Sequence, residues 1–481
     1  MASPSNKRKR SISELLTDDA TVPGSENEKH GTSPPRTRRK IDENDASGQN
    51  VIVPEVESPS NDQGKVQNHE TKAPTQLAFL AYPDLTRSKP SSVLFQQPSQ
   101  LTTFSYTPEH VQEFTNSAMR YFVDPPSGAN LSYGFERWIR KPDTRGRLDA
   151  LLKAISKVKR NVEEQNGKLP EIGVVSWRGV MTKILTSPYE NRDGWELNVM
   201  SINGTLYFEE HLTDARLQEK NNMEPRQKTQ TYYGYAFESY CTSDSPHSSR
   251  HATERESHHG WGGDVDTNVQ WCSVVRTKLG DTRLIIGGEV DCVRGKYTGQ
   301  TDAFVELKTS LAIKGRHDEI KFEKKLCKFY FQSFLLGVPE IVVGFRTPAG
   351  VLTTVQSFKT IQIPRMVRGK PGAWDPLVCL EFGHRVLSLL KDITRKHSVQ
   401  AENRQSVPVW RVKFVPGSGL RVNELEAAEV ADVVNQEDRV GFLPRWYWNE
   451  IQDEGSLNSP EGAHKSAPAQ PALTALGGWQ L

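Results

Sequence analysis

The chain has 481 residues, 61 Lys plus Arg against 59 Asp plus Glu, and a formal net charge of +2. So even a balance excludes a global basic field as the ground for nucleic-acid binding, and no apolar run approaches the length of a membrane span. Five scattered cysteines with no C-x-x-C pair favour a reducing compartment over structural zinc or a disulfide framework, and no secretory h-region opens the chain.

Residues 1 to about 95 are rich in Ser, Pro, Asn, Lys and Glu and lack sustained apolar periodicity, so the expectation is a disordered tail. Two basic clusters in it, Lys7-Arg8-Lys9-Arg10 and Arg36-Thr37-Arg38-Arg39-Lys40, have the form of nuclear-import signals or loose nucleic-acid contacts. Composition turns globular near Leu101. Leu148, Leu151, Leu152 and Ile155 recur at helical spacing and predict a helix over residues 147–158. A strand follows at residues 172–175. Strands at residues 195–199 and 205–208 flank Asn203-Gly204, a hairpin turn pair. Residues 243–264 form a Ser/His/Gly-rich insertion; its His247, His251, His258 and His259 have no helical frame and read as loop.

Residues 320–336 predict an amphipathic helix, with Phe322, Leu326, Phe329 and Phe334 towards one side and Lys321, Lys325, Lys328 and Gln332 towards the other. Gly337 and Pro339 stop it. Paired strands are expected at residues 341–345 and 352–358, then a turn and helix over 374–390, and the core closes near Phe442 to Trp448. A Ser/Pro/Ala-rich tail, again expected to be disordered, fills residues 455–481. The folded domain is therefore placed at residues 101–452.

The chemistry lies in two acidic segments, Gly288-Glu289-Val290-Asp291 and Val305-Glu306-Leu307-Lys308, with fourteen residues between Asp291 and Glu306. Read as strands, they put Glu289 and Asp291 on one face, and Glu306 and Lys308 on one face, because alternate residues share a side. The stretch Arg294 to Gln300 reads as a turn that lets the two strands pair. Three carboxylates gathered at one spot repel unless a cation or proton sits among them, and hard oxygen ligands suit Mg2+ or Mn2+.

Upstream, Gly234-Tyr235-Ala236-Phe237-Glu238 aims a fourth carboxylate, Glu238, at the same cleft. Four carboxylates can hold two divalent ions, which would activate water and stabilise a leaving oxygen in phosphoryl transfer. Lys308 would orient or deprotonate that water, or stabilise developing negative charge; spacing does not choose among these. Arg178, in Trp177-Arg178-Gly179, follows a strand and offers bidentate phosphate contacts beside a glycine that lets a ligand come close. Gln332 lies on the polar side of the helix that follows the Glu-x-Lys strand and can reach a phosphate or sugar.

This ordered series resembles the DXO/Rai family of RNA 5′-end decapping nucleases, and the resemblance runs from about Thr103 to Ile451. It also takes in Leu185 to Glu190, Thr267-Asn268-Val269 and Phe442-Leu443-Pro444. The tails with import-like clusters are more similar to the nuclear fungal Rai type than to the compact DXO type. The resemblance implies an α+β fold with two mixed β-sheets flanked by helices and a PD-(D/E)xK nuclease-like core. It implies binding of divalent metal, two ions being the number four carboxylates can hold, through Glu238, Glu289, Asp291, Glu306 and the carbonyl of Leu307. It implies catalysis by those four carboxylates with Lys308, and substrate contacts from Trp177, Arg178, Gly179, Cys272, Glu289, Lys308 and Gln332.

The activities implied are removal of incomplete guanosine caps, removal of NAD caps, and release of pyrophosphate from 5′-triphosphate RNA, all leaving a 5′-monophosphate. In the Rai type that end passes to a nuclear 5′→3′ exoribonuclease of the Xrn class, which the protein also stabilises. A nuclear location and no membrane partner follow. The sequence departs from the family at Gly146, where an acidic residue is expected, and at His110, where some members carry arginine; both put cap discrimination in doubt. The competing reading is a non-catalytic module that only stabilises the exoribonuclease, and a scaffold of that kind has no need to crowd carboxylates. A PD-(D/E)xK DNA nuclease is a third, disfavoured by the Trp177-Arg178-Gly179 and Gln332 matches.

Overall fold

The structure is a computed structural model and describes residues 76–85, 90–246, 260–399 and 407–457. Both basic clusters, the four histidines of the insertion and the C-terminal tail from residue 458 lie outside those residues.

The strands are, in chain order, β1 (Gln76–Ala81), β2 (Ser99–Tyr106), β3 (Gln112–Glu113), β4 (Tyr121–Phe122), β5 (Val174–Trp177) and β6 (Trp195–Ile202). Then come β7 (Thr205–Glu210), β8 (Thr242–Ser243), β9 (Gln270–Leu279), β10 (Thr282–Glu289), β11 (Cys292–Val293) and β12 (Phe304–Leu311). The last are β13 (Glu340–Arg346), β14 (Leu352–Lys359), β15 (Trp410–Val415), β16 (Gly419–Glu424), β17 (Arg439–Val440) and β18 (Leu443–Pro444). The helices are α1 (Asp149–Glu164), α2 (Arg178–Thr186), α3 (Asp214–Asn221), α4 (Pro225–Cys241) and α5 (Arg316–Leu336). They continue with α6 (Ile363–Val367), α7 (Pro376–Val399), α8 (Ala427–Val434) and α9 (Arg445–Leu457).

Two mixed sheets carry the fold. One has ten strands in the order β1-β16-β15-β6-β7-β5-β10-β9-β2-β3, the other six in the order β14-β13-β12-β11-β4-β8. β5 runs parallel to β10 and β7, and β12 runs parallel to β13. The helices between these parallel neighbours supply the crossovers such pairs need. Thus the α+β class with two mixed sheets flanked by helices is what the structure shows.

Local chemistry sets several joints. Asn203 and Gly204 take φ of 49° and 80°, so the β6–β7 hairpin turns through two left-handed residues, as its tight twist requires. Gly337, at φ 73°, ends α5, and Val338 N–H closes the turn on Ser333 O at 2.9 Å. One core packs Leu148, just ahead of α1, and Leu151, Leu152 and Ile155 of α1 against Val175, Ile285 and Val274, with Tyr447 and Ile451 of α9 completing it. A second joins Tyr232, Tyr233, Ala236, Phe237 and Tyr240 of α4 to Val305 and Leu307 of β12.

The expected boundary of the N-terminal tail needs correction. β1 pairs antiparallel with β16, and Phe95 is buried with its ring 4.6 Å from that of Phe334. A six-residue edge strand and one anchoring aromatic draw their stability from partners more than two hundred residues away, so no local periodicity marks them.

Candidate active site

Strands of both sheets and two helices meet at the acidic cluster. β5 delivers Trp177 and runs directly into α2, whose first residues are Arg178 and Gly179. β10 ends on Glu289, and after Val290 the chain enters the other sheet with Asp291 just ahead of β11. Glu306, Leu307 and Lys308 lie in β12, and Glu238 comes from the last turns of α4.

This corrects the expected geometry. Glu289 and Asp291 do not share the face of one strand: Glu289 ends β10 of one sheet and Asp291 precedes β11 of the other, with only buried Val290 between them. The expected pairing survives as β11–β12, limited to Cys292 with Val305 and Val293 with Phe304. Glu306 and Lys308 do share a face, and Lys308 Nζ donates to Glu306 Oε1 at 2.5 Å.

Glu306 is fully buried and answers two cations: Arg178 Nη1 donates to Oε2 at 2.7 Å, opposite Lys308 on Oε1. Burial works against its charge, yet Arg178 and Lys308 hold its carboxyl below the usual range. The other three go the opposite way. Burial and the neighbouring carboxylates push Glu289 up to about 7 and Asp291 up to about 6, and raise Glu238 well above a normal glutamate. Asp291 Oδ2 accepts from Leu307 N–H at 2.6 Å, and Glu289 Oε2 accepts from Gln270 Nε2 at 3.0 Å. Leu307 thus meets the cluster through its N–H. The charge of Lys308 is held against burial by Glu306 and Asp291, which keeps its ammonium protonated. That favours charge stabilisation over proton abstraction as its role.

The donors are all hard oxygens, three of them carrying raised proton affinity that a cation would relieve, so the residues fit a divalent ion of the Mg2+ or Mn2+ kind. Among the described residues no three His, Cys, Asp or Glu side chains stand at ligating distance. Glu306 spends both oxygens on Arg178 and Lys308.

A cleft of about 680 Å³ opens beside the cluster, and Trp177, Arg178, Gly179, Cys272, Glu289 and Gln332 all line it. Lys308 does not line it. Gly179 has open space where a side chain would stand, so the backbone there is accessible to a ligand. Trp177 Nε1 donates to Arg147 O at 2.9 Å, which fixes the indole against the cleft wall. Cys272 faces Glu289 across the β9–β10 ladder; its thiol is buried and its pKa driven up by burial, so it is a neutral weak donor. A second cleft of about 420 Å³ also reaches the cluster, lined by Glu238, Asp291 and Glu289 among others. Glu289 therefore stands in the wall common to both.

Sequence reading missed the basic rim of the larger cleft: Lys141, Arg145, Arg147 and Lys153. These residues are single cations in a loop and on α1, and no spacing rule joins them. His110 and Gly146, the two departures, also line this cleft. His110 takes a left-handed φ of 57° and stacks on Tyr106 with ring centroids 4.1 Å apart.

Residues 96–448 match the family model described as RAI1 like PD-(D/E)XK nuclease. The chain belongs to that family. It is 37% identical over 453 residues to the decapping nuclease RAI1 of Mycosarcoma maydis, a match covering 75% of this chain and 89% of that one. It is 31% identical to the decapping and exoribonuclease protein of Xenopus laevis, covering 74% and 86%. Among solved structures it is similar to S. pombe Rai1 in complex with 3′-FADP, with a TM-score of 0.56 at 25% identity over 73% of this chain and 99% of that one. The fold is also that of Candida albicans Rai1 in complex with pU5-Mn2+, with a TM-score of 0.64 at 23% identity, covering 78% and 99%. As a RAI1-family member the protein is a hydrolase of the decapping-nuclease class.

Proposed function

We propose that this protein hydrolyses the 5′ ends of RNA with the help of a divalent cation, Mg2+ or Mn2+, held by Glu238, Glu289, Asp291 and Glu306. The substrates are incomplete guanosine caps, NAD caps and 5′-triphosphates, and each reaction leaves a 5′-monophosphate. The observation that carries this reading is the position of Glu289, which bounds both a cleft with basic residues on its rim and the carboxylate cluster. A phosphate chain in the larger cleft meets Arg178, the Gly179 backbone and, of the cluster, Glu289.

When bound, the cation supplies an activated water and neutralises charge on the leaving oxygen. Arg178 and Lys308, both protonated and desolvated, add fixed positive charge where negative charge grows. Gln332 and the Trp177 indole orient the sugar and base end within the cleft. Support for a dinucleotide-like ligand comes from S. pombe Rai1, whose structure was solved with 3′-FADP.

Action in the nucleus, and handing of the 5′-monophosphate end to an Xrn-class exoribonuclease that the protein stabilises, complete the reading. The basic clusters at residues 7–10 and 36–40 support the first. The test is incubation of wild type and Asp291→Ala with RNAs bearing a triphosphate, an unmethylated guanosine cap or an NAD cap, in Mg2+ or Mn2+. Pyrophosphate, a cap dinucleotide or intact NAD is expected from wild type and not from the variant. No product from any RNA, with both proteins folded, returns the exoribonuclease-stabilising module as the better reading.

A further inference from the structure

We propose that the lysine stripe on α5 is a track for the RNA body, carrying the strand downstream of the reacting 5′ end away from the cleft. This rests on the proposed action at RNA 5′ ends and extends the site beyond the residues that hold the end itself.

The stripe is unusually pure. Between residues 321 and 328 every position exposed to solvent is a lysine: Lys321, Lys324, Lys325 and Lys328. Lys321, Lys325, Lys328 and Gln332 step by four, three and four, which sets them along one side of the helix. The row ends inside the cleft, because Gln332 lines it. From Lys321 to Gln332 the helix rises about 16 Å, room for roughly two or three phosphates of an extended strand.

These cations lack acids. No ion pair joins any of the four lysines to an acid among the described residues. The acids of the same helix are spent elsewhere: Lys370 takes Glu319 at 3.7 Å and Glu323 at 3.4 Å, and Asp318 accepts from Lys314 N–H at 3.2 Å. Instead, cations face cations. Lys325 donates to Ser310 Oγ at 3.3 Å, on the same face of β12 as Glu306 and Lys308, and its ammonium is disfavoured by burial and by Arg346. Arg346 is itself buried and its Nε has no partner. Lys183, five residues beyond Arg178 on α2, pairs with Glu210 yet is still disfavoured by burial, Lys220 and Lys328.

Positive charge that self-repels along a line, begins at the cleft and has no acid to quench it is matched by a regularly spaced polyanion. Binding of that kind releases counterions and is read as a salt slope, about 0.7 per neutralised phosphate for a single strand. Three lysines would therefore contribute a roughly twentyfold loss of affinity between 50 and 200 mM salt.

The experiment measures binding by fluorescence anisotropy, in Ca2+ or without divalent ion, for 5′-phosphorylated RNAs of about two and about ten nucleotides. The proteins are wild type and the triple variant Lys321→Gln/Lys325→Gln/Lys328→Gln, with thermal melting to confirm that both are folded. The variant is expected to bind the longer RNA about tenfold more weakly at low salt, with a shallower salt slope, and to bind the short one like wild type. Equal affinity of the folded variant for the longer RNA, with an unchanged slope, overturns the track. Because the readout is binding, loss of hydrolysis alone would count against the proposed function and leave the track standing. Failure of wild type to bind either RNA overturns both.

Discussion

Arg178 and Glu306 are joined at 2.7 Å across the two sheets, one at the exit of β5 in the ten-stranded sheet, the other within β12 of the six-stranded one. The pair is almost wholly withdrawn from water, with side-chain exposures of 13% and 0%. It is thus both an element of the site and a cross-sheet tie. Glu306→Ala leaves Arg178 and Lys308 confined without their counter-charge, and removal of one partner from a buried pair costs about 3–5 kcal/mol. Denaturant unfolding in chelator is expected to show that loss for Glu306→Ala and a smaller one for Glu306→Gln. Wild-type stability in Glu306→Ala would mean that the tie is mechanically idle.

Stability at neutral pH is expected to carry the signature of Glu209. Burial pushes its carboxyl up to about 7 from an ordinary 4.5, although Arg147 Nη1 donates to its Oε1 at 2.7 Å, and its Oε2 has no partner. Between those two values the folded chain holds a proton that the unfolded chain releases. The associated stability is therefore complete below pH 4.5 and is lost as pH rises through about 7, a change on the order of 3 kcal/mol. Unfolding free energies of wild type and Glu209→Gln from pH 4.5 to 8 should diverge in slope across that window. Parallel curves would count against the buried proton.

Gly288→Ala is expected to disable the site without touching a functional group. A Cβ there would lie 2.9 Å from Arg178 Cβ and 2.9 Å from Leu336 Cδ1, inside normal contact. Overpacking of this kind costs about 1–3 kcal/mol and moves side chains. The neighbour displaced is the one that carries the guanidinium. We expect product formation to fall at least tenfold while the variant still melts cooperatively; full activity would show that Arg178 tolerates the shift.

Much of this site was open to sequence reading because its members sit in short ordered runs. Glu306 and Lys308 project from one strand, and the alternation rule finds them together. Glu289 and Asp291 obey no such rule, since the change of sheet happens at Val290 and a single apolar residue between two acids looks like uninterrupted strand. The helical state of α4 was equally hidden: Tyr232, Tyr233, Ala236, Phe237 and Tyr240 are buried on more than one side, so no one-sided apolar stripe announces the helix that carries Glu238. The basic rim of the cleft is assembled from a loop and α1, and only the fold brings Lys141 and Lys153 to the same opening.

The passage of the chain through Val290 has one more implication. With Glu289 fastened to one sheet and Asp291 to the other, the gap between these two carboxylates is a gauge of how far apart the sheets stand. Any breathing of the sheets alters that gap directly, and a divalent ion gripping both residues would act as a rivet. Amide exchange along the short β11 seam should then slow on addition of the ion more than exchange in the distant β15–β16 hairpin, coupling the readiness of the site to the mechanical closure of the whole domain.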